Sequence, residues 1–146
     1  MTKIEQIVNV NTATVESTAD VILVNGEAFT YKNSGLTRRV FENKDKTLVV
    51  KVPIDVEFQR HNDNEATLWN EASEEVRSQL AETQRLPNGY ILQEYLHTLD
   101  DKETQEWLGR PMTNKEIRFA VSCRNDVGYD ANGVLKCFDY DEFKKY

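Results

Sequence analysis

Histidine, cysteine, long apolar runs and positive charge are all scarce in this chain of 146 residues, and each scarcity narrows what the protein can be. There are two histidines, His61 and His97, and two cysteines, Cys123 and Cys137. No Cys-x-x-Cys pair occurs and no ligand spacing surrounds the histidines, which argues against a structural zinc site. Both cysteines stand in apolar segments and read as reduced core thiols. No stretch approaches the roughly 18 apolar residues of a membrane span. The opening Met1-Thr2-Lys3-Ile4-Glu5-Gln6 has no signal-like apolar run, so a cytoplasmic protein is expected. Lys and Arg number 18 against 25 Asp and Glu, a formal net charge of −7. That balance argues against direct binding to nucleic acid, whose phosphates attract cations. It is compatible with a basic protein partner.

What is present suits a folded chain. Hydrophobic residues make up 39% and charged residues 29%, enough apolar surface to bury a core in one domain over residues 1–146. Val21-Ile22-Leu23-Val24, Asn25-Gly26 and Ala28-Phe29-Thr30-Tyr31 spell a β-hairpin, because Asn-Gly supplies the positive φ angles of a type I′ turn. A second hairpin pairs Arg39-Val40-Phe41 with Leu48-Val49-Val50-Lys51-Val52, and Pro53, lacking an amide hydrogen, ends it. From Asn62 to Leu86 the apolar residues recur at helical spacing, with a break expected near Ser73. Pro87-Asn88-Gly89 is a turn, and Tyr90 to Tyr95 a buried strand. Short helices are expected over Lys102 to Leu108 and Asn114 to Val121, the second opened by the capping box Thr113-Asn114-Lys115-Glu116. A small hairpin joins Val127–Asp130 to Val134–Phe138 around Ala131-Asn132-Gly133.

Several residues carry chemistry. Lys51, in the middle of Val-Val-Lys-Val, is either a buried charge that needs a partner or the solvent side of a period-two strand. Glu65 and Glu71 follow on the helix, and Glu65 shares the apolar face with Trp69 and Ala72, which makes it the preferred partner. Gly35 opens Gly-Leu-Thr-Arg-Arg-Val-Phe, where Arg38 and Arg39 offer charge to a phosphate. The alternative for Gly35 is a plain turn before a strand. Leu92-Gln93-Glu94-Tyr95-Leu96 is a strand with an edge carboxylate. Asp126 and Asp139 are expected to face one another at the ends of the small hairpin, as hard oxygen ligands for a magnesium ion whose shell phosphates would complete.

The order glycine turn, strand lysine, helix glutamate, extended Glu94–Leu96 segment, small hairpin and Asp139-Tyr140-Asp141 resembles the protein-kinase-like fold. It is similar to the short kinase-like proteins of phage genomes. The resemblance runs from Gly35 to Asp141. It implies an α+β fold: a kinase N-lobe with an antiparallel sheet of about five strands and a helix, followed by a vestigial C-lobe. It further implies ATP and magnesium as ligands, with Gly35, Arg39, Lys51, Glu65, Glu94 and Leu96 toward the nucleotide and Asp126 and Asp139 toward the metal. No catalytic residue is carried over. The catalytic-loop aspartate falls on Ala120 or Val121, which accept no proton, and Tyr140-Asp141 stands in place of Phe-Gly. The reading that follows is a pseudokinase-like protein that binds and inhibits another protein, in the host cytoplasm if phage-encoded. Two alternatives stay open. One is an unorthodox phosphotransferase using Asp126 or Asp141 as base. The other is an acidic inhibitor that mimics nucleic acid through Glu65, Glu71, Glu74, Glu75, Asp100, Asp101 and Glu103.

Overall fold

A computed structural model describes residue 4, residues 8–98 and residues 100–140. The turns written in the sequence connect an antiparallel sheet of seven strands in the order β1-β2-β3-β4-β5-β7-β6. These are β1 (Val15–Ser17), β2 (Val21–Val24), β3 (Glu27–Ser34), β4 (Arg38–Asn43), β5 (Leu48–Pro53), β6 (Thr83–Arg85) and β7 (Ile91–Glu94). The expectation of about five strands is therefore too low, and β1 and β6 are the additions. Asn25 and Gly26 adopt φ of 51° and 83°, as the type I′ turn between β2 and β3 requires. In β4 and β5, Val40 sits opposite Lys51 and Phe41 opposite Val50. Phe41, Val50, Val52, Leu92, Ile22 and Phe29 join one hydrophobic cluster.

The helical region is shorter than its periodicity suggests. Helix α1 (Gln59–Glu71) follows a 3₁₀ turn at Val56–Phe58, and a single turn, α2 (Glu74–Arg77), follows α1. Between them the chain turns at Ala72, and the Ser73 hydroxyl accepts from the Val76 amide as the cap of α2. Beyond this point Leu80, Ala81 and Leu86 mimic a helical spacing, but Thr83, Gln84 and Arg85 pair with Gln93, Leu92 and Ile91 as an edge strand. Tertiary pairing to a strong neighbouring strand overrides a short periodic signal. Helix α1 packs over β5 and β6.

The rest of the chain builds a smaller layer. Helices α3 (Asp101–Leu108) and α4 (Asn114–Ser122) precede β9 (Val127–Tyr129) and β10 (Leu135–Cys137), and β8 (His97–Thr98) completes a three-stranded sheet in the order β10-β9-β8. Gly128 is required there, because a Cβ would lie 2.6 Å from the His97 carbonyl oxygen. Trp69, Val76, Leu80, Ala120, Val127, Cys137 and Tyr140 form a second hydrophobic cluster. Among the described residues no helix is long and apolar enough to cross a membrane.

The cysteines correct the sequence reading. Cys123 and Cys137 form a disulfide, with Cα atoms 6.1 Å apart, so they are not reduced thiols. The fold brings β10 back beside the end of α4, an approach that a sequence separation of 14 does not announce. One support for a reducing compartment is thereby removed. Closing a loop of this length is worth about 3 kcal/mol. Dithiothreitol, or Cys137→Ser, is expected to lower the urea-unfolding free energy by about that amount, and the mutant is expected to be insensitive to the reductant.

The capping box at α4 is present as expected: the Thr113 hydroxyl accepts from the Glu116 amide, and the Glu116 carboxylate accepts from the Thr113 amide. Glu116 also pairs with Arg110 at 2.6 Å and accepts from the Tyr129 hydroxyl. The Arg110 guanidinium first, and then the Tyr129 and Thr113 hydrogen bonds, overcome partial burial and hold Glu116 at about 2. A carboxylate depressed in the folded state contributes stability above its unfolded pKa and loses it as pH falls through the folded one. The melting temperature should therefore fall as pH drops from about 4.5 toward 2, and Glu116→Gln should flatten that part of the profile.

Candidate functional site

The alternation of β5 turns Lys51 inward, where it is 4% exposed. Its ammonium lies 3.1 Å from Glu65 Oε2 and donates to the Phe138 backbone carbonyl. Glu65, on α1, is fully buried. Of the two helix acids, then, Glu65 is the partner, and Glu71 is exposed at the end of α1. Burial lowers the Lys51 pKa, and the Glu65 charge opposes that shift. The solvent-facing alternative for Lys51 is excluded by its burial.

Glu65 gathers more than Lys51. Arg38 Nη2 donates to Glu65 Oε1 at 2.7 Å, Gln93 Nε2 to Oε2 at 3.4 Å, and the Tyr140 amide to Oε1 at 3.1 Å. Arg38 also pairs with the Asp139 carboxylate, and its Nη1 donates to Asn62 Oδ1 at 3.3 Å. Asn62 is oriented in turn by donating to the carbonyls of Lys51 and Gly89 at 3.0 and 3.1 Å. Two cations and two carboxylates thus form a chain from Lys51 through Glu65 and Arg38 to Asp139. Tyr140 closes it from below. Its hydroxyl donates to the Ala81 carbonyl at 2.8 Å and meets the Thr83 hydroxyl, while burial raises its phenol pKa.

Above this chain lies a cleft of about 340 Å³ lined by Lys51, Arg38, Asp126 and Asp139 on one side and by Glu94 and Leu96 at the end of β7. Val40, Val49 and Phe138 supply apolar wall, and Lys32 and Gly35 reach its edge. Six of the sequence candidates (Gly35, Lys51, Glu94, Leu96, Asp126 and Asp139) line this one cleft, and Glu65 sits beneath it. Arg39 does not join them. It points to the other face of β4, 5.5 Å over the Phe41 ring, with Nη1 3.4 Å from the Ala19 carbonyl. Arg38 is the residue the sequence reading should have chosen, and strand parity was the signal, since Phe41 in the core puts Arg39 on the same face.

The glycine turn and the acidic candidates read differently in three dimensions. The Gly35 amide donates to the Arg38 carbonyl at 2.9 Å, so it closes the turn rather than facing the cleft. Burial raises the Asp126 pKa and the Asp139 charge raises it further. Glu94 is held by Lys136 at 3.1 Å, and Lys136 also pairs with Asp130 at 2.9 Å. Among the described residues no group of three or more His, Cys, Asp and Glu side chains gathers as a metal site. Asp126 and Asp139 share the cleft, but Asp139 is already engaged by Arg38. Of the acids invoked for nucleic-acid mimicry, Glu71, Glu74, Glu75, Asp100 and Glu103 are exposed, whereas Glu65 is buried and belongs to no surface. Asp141 lies outside the described residues, as does the side chain of Asp101.

No protein-family model and no curated protein matches the chain. The chemistry of the cluster therefore has to be tested on the chain itself. Removing one member of a buried ion pair typically costs about 3–5 kcal/mol, because the other charge is left uncompensated. Glu65→Gln leaves Lys51 without its carboxylate and Arg38 with Asp139, and should cost an amount in that range in urea unfolding. Lys51→Met leaves Glu65 paired with Arg38 and should cost about half as much or less.

Proposed function

We propose that the chain is a reduced protein-kinase-like protein that binds a nucleotide in this cleft, transfers no phosphoryl group efficiently, and acts by binding and inhibiting another protein. The observation that carries the reading is the buried Lys51–Glu65 pair at 3.1 Å. It joins a central strand to the helix beneath a cleft that also holds Asp139 and the Glu94–Leu96 segment. A kinase fold uses such a pair to present its lysine to the α- and β-phosphates.

The residues suit a nucleotide. A volume of about 340 Å³ falls within the range of about 300–1,000 Å³ for small-ligand pockets. Val40, Val49 and Leu96 would take the base, and Lys32, Lys51 and Arg38 would face the phosphates. They do not suit a magnesium ion, which needs near-octahedral oxygen ligands, because one of the two carboxylates on offer is bound to Arg38. Catalysis lacks its parts as well. Ala120 is buried and Val121 exposed on α4, neither side chain can accept a proton, and the Gly35 amide is spent within its own turn. Protein binding has support at the end of the β4–β5 ribbon. There Leu36, Ile54 and Val56 are 96%, 47% and 86% exposed, and the Ile54 amide donates to the Thr37 carbonyl at 2.9 Å.

A second reading, phosphoryl transfer with Asp126 as base, is favoured by one observation: burial and Asp139 raise its pKa within the cleft. Titration calorimetry with ATP separates these readings from an empty cleft. Saturable binding is expected, weakened at least about tenfold, or ~1.4 kcal/mol, in a folded Lys51→Met variant. Unchanged affinity in that variant, or no binding by the wild type, removes the nucleotide reading. Incubation with labelled ATP is expected to give no transfer. Robust labelling lost in Asp126→Asn would make the protein an enzyme.

A further inference from the structure

We propose that Arg38 is the resident cation of this cleft. Its guanidinium holds the Asp139 carboxylate that a divalent metal ion would require, so the site takes a phosphate-bearing ligand in its metal-free form. The inference rests on the nucleotide reading for its ligand, but the exclusion of metal stands on the cluster alone. Arg38 is 4% exposed. One nitrogen, Nη2, bridges Glu65 Oε1 at 2.7 Å and the Asp139 carboxylate, and the other, Nη1, reaches Asn62 Oδ1 at 3.3 Å. A guanidinium stays protonated at any pH of interest, so this charge is permanent.

The balance of charge makes a metal redundant. Arg38 and Lys51 already balance Glu65 and Asp139, of which all but Asp139 are buried. A divalent ion entering at Asp139 would have to displace Arg38 onto Glu65 alone, a carboxylate that Lys51 also claims at 3.1 Å, with Asp126 and Glu94 lining the same cleft. It would add positive charge beside the buried Arg38 and Lys51, a costly arrangement. Nor are oxygens gathered for it, since among the described residues no group of three or more metal-binding side chains forms. A phosphate meets no such obstacle. Arg38, its terminal nitrogens engaged by Glu65, Asp139 and Asn62, attracts its oxygens as a fixed charge, and Lys32 and Lys51 line the same cleft.

Manganese alone is the direct probe, followed by water-proton relaxation on the whole chain. The wild type is expected to show no saturable binding in the millimolar range. Arg38→Gln, which keeps a donor to Glu65 while freeing Asp139, is expected to gain binding that Asp139→Asn in the same background removes. A saturable wild-type site that Asp139→Asn abolishes overturns the proposal, and needs no Arg38 variant to do so. A folded Arg38→Gln protein that still binds no manganese overturns it too, because Arg38 would then not be what keeps metal out. ATP titrated in EDTA and in magnesium gives the second readout. Affinities within about threefold of each other are expected, and a tenfold gain with magnesium refutes the metal-free site. Absence of ATP binding in both buffers refutes the nucleotide reading instead, while the manganese result still decides the role of Arg38.

Discussion

One carboxylate, that of Glu65, sets the positions of the elements around it. It is wholly removed from water, a state that costs several kcal/mol per ion unless opposite charge and hydrogen bonds compensate it. The compensation comes from four separate segments: Arg38 of β4, Lys51 of β5, Gln93 of β7 and the backbone amide of Tyr140. Each must arrive in register for the buried carboxylate to find its partners. Slipping β4 by one residue would bring Thr37 or Arg39 to the place of Arg38 and turn Phe41 out of the core. Helix α1 is equally constrained. Asn62 and Gln59 donate to the Gly89 carbonyl at 3.1 and 2.7 Å, which ties the helix start to the turn before β7.

Two apolar clusters meet at this charge. Val50 and Val52, the neighbours of Lys51 in β5, belong to the first, and Tyr140, which donates to Glu65, belongs to the second. The C-terminal layer is therefore not fastened to the sheet by apolar packing alone. The Phe138 carbonyl on Lys51, the Asp139 carboxylate on Arg38 and the Tyr140 amide on Glu65 are three consecutive residues each making one polar contact with the cluster. The disulfide and the Phe138 amide, which donates to the Asp126 carbonyl at 3.0 Å, then connect this segment to α4 and the small sheet. A cleft whose floor is pinned so closely holds its lining side chains with little freedom, which favours a preorganised ligand site.

Local chemistry made much of this legible. Asn25-Gly26 located a turn because few residue pairs tolerate two positive φ angles, and Thr113 with Glu116 located a helix start because the box is reciprocal. The Lys51–Glu65 pair was legible for a different reason: a lysine in a β-branched run and a glutamate on the apolar side of a helix each need the other. Arg39 was misassigned because two adjacent arginines look alike until a neighbour such as Phe41 fixes which face is the core. The helix expected to reach Leu86 failed because three residues, Thr83 to Arg85, are too few for either period to declare itself. The disulfide depended on a return of the chain that no local spacing encodes.

The cluster is also more elaborate than stability alone requires. Replacing a buried ion pair by apolar groups of similar volume is often neutral, or stabilising by about 1–4 kcal/mol. Valine and leucine could fill positions 38, 51 and 93 of the sheet and 65 of the helix in that way. Instead four polar side chains occupy them, and a fifth, Asn62, is spent on orienting one of the four. An arrangement that only held the fold together would not need its outermost member, Asp139, to remain 41% exposed at the cleft. The chain of charges runs from Lys51 and Glu65 in the dry interior, through Arg38, to the Asp139 carboxylate at the open cleft, so a balanced buried cluster ends in one solvent-facing polar group. Polar groups held in place in this way at the edge of a small cavity meet whatever enters it without reorganising.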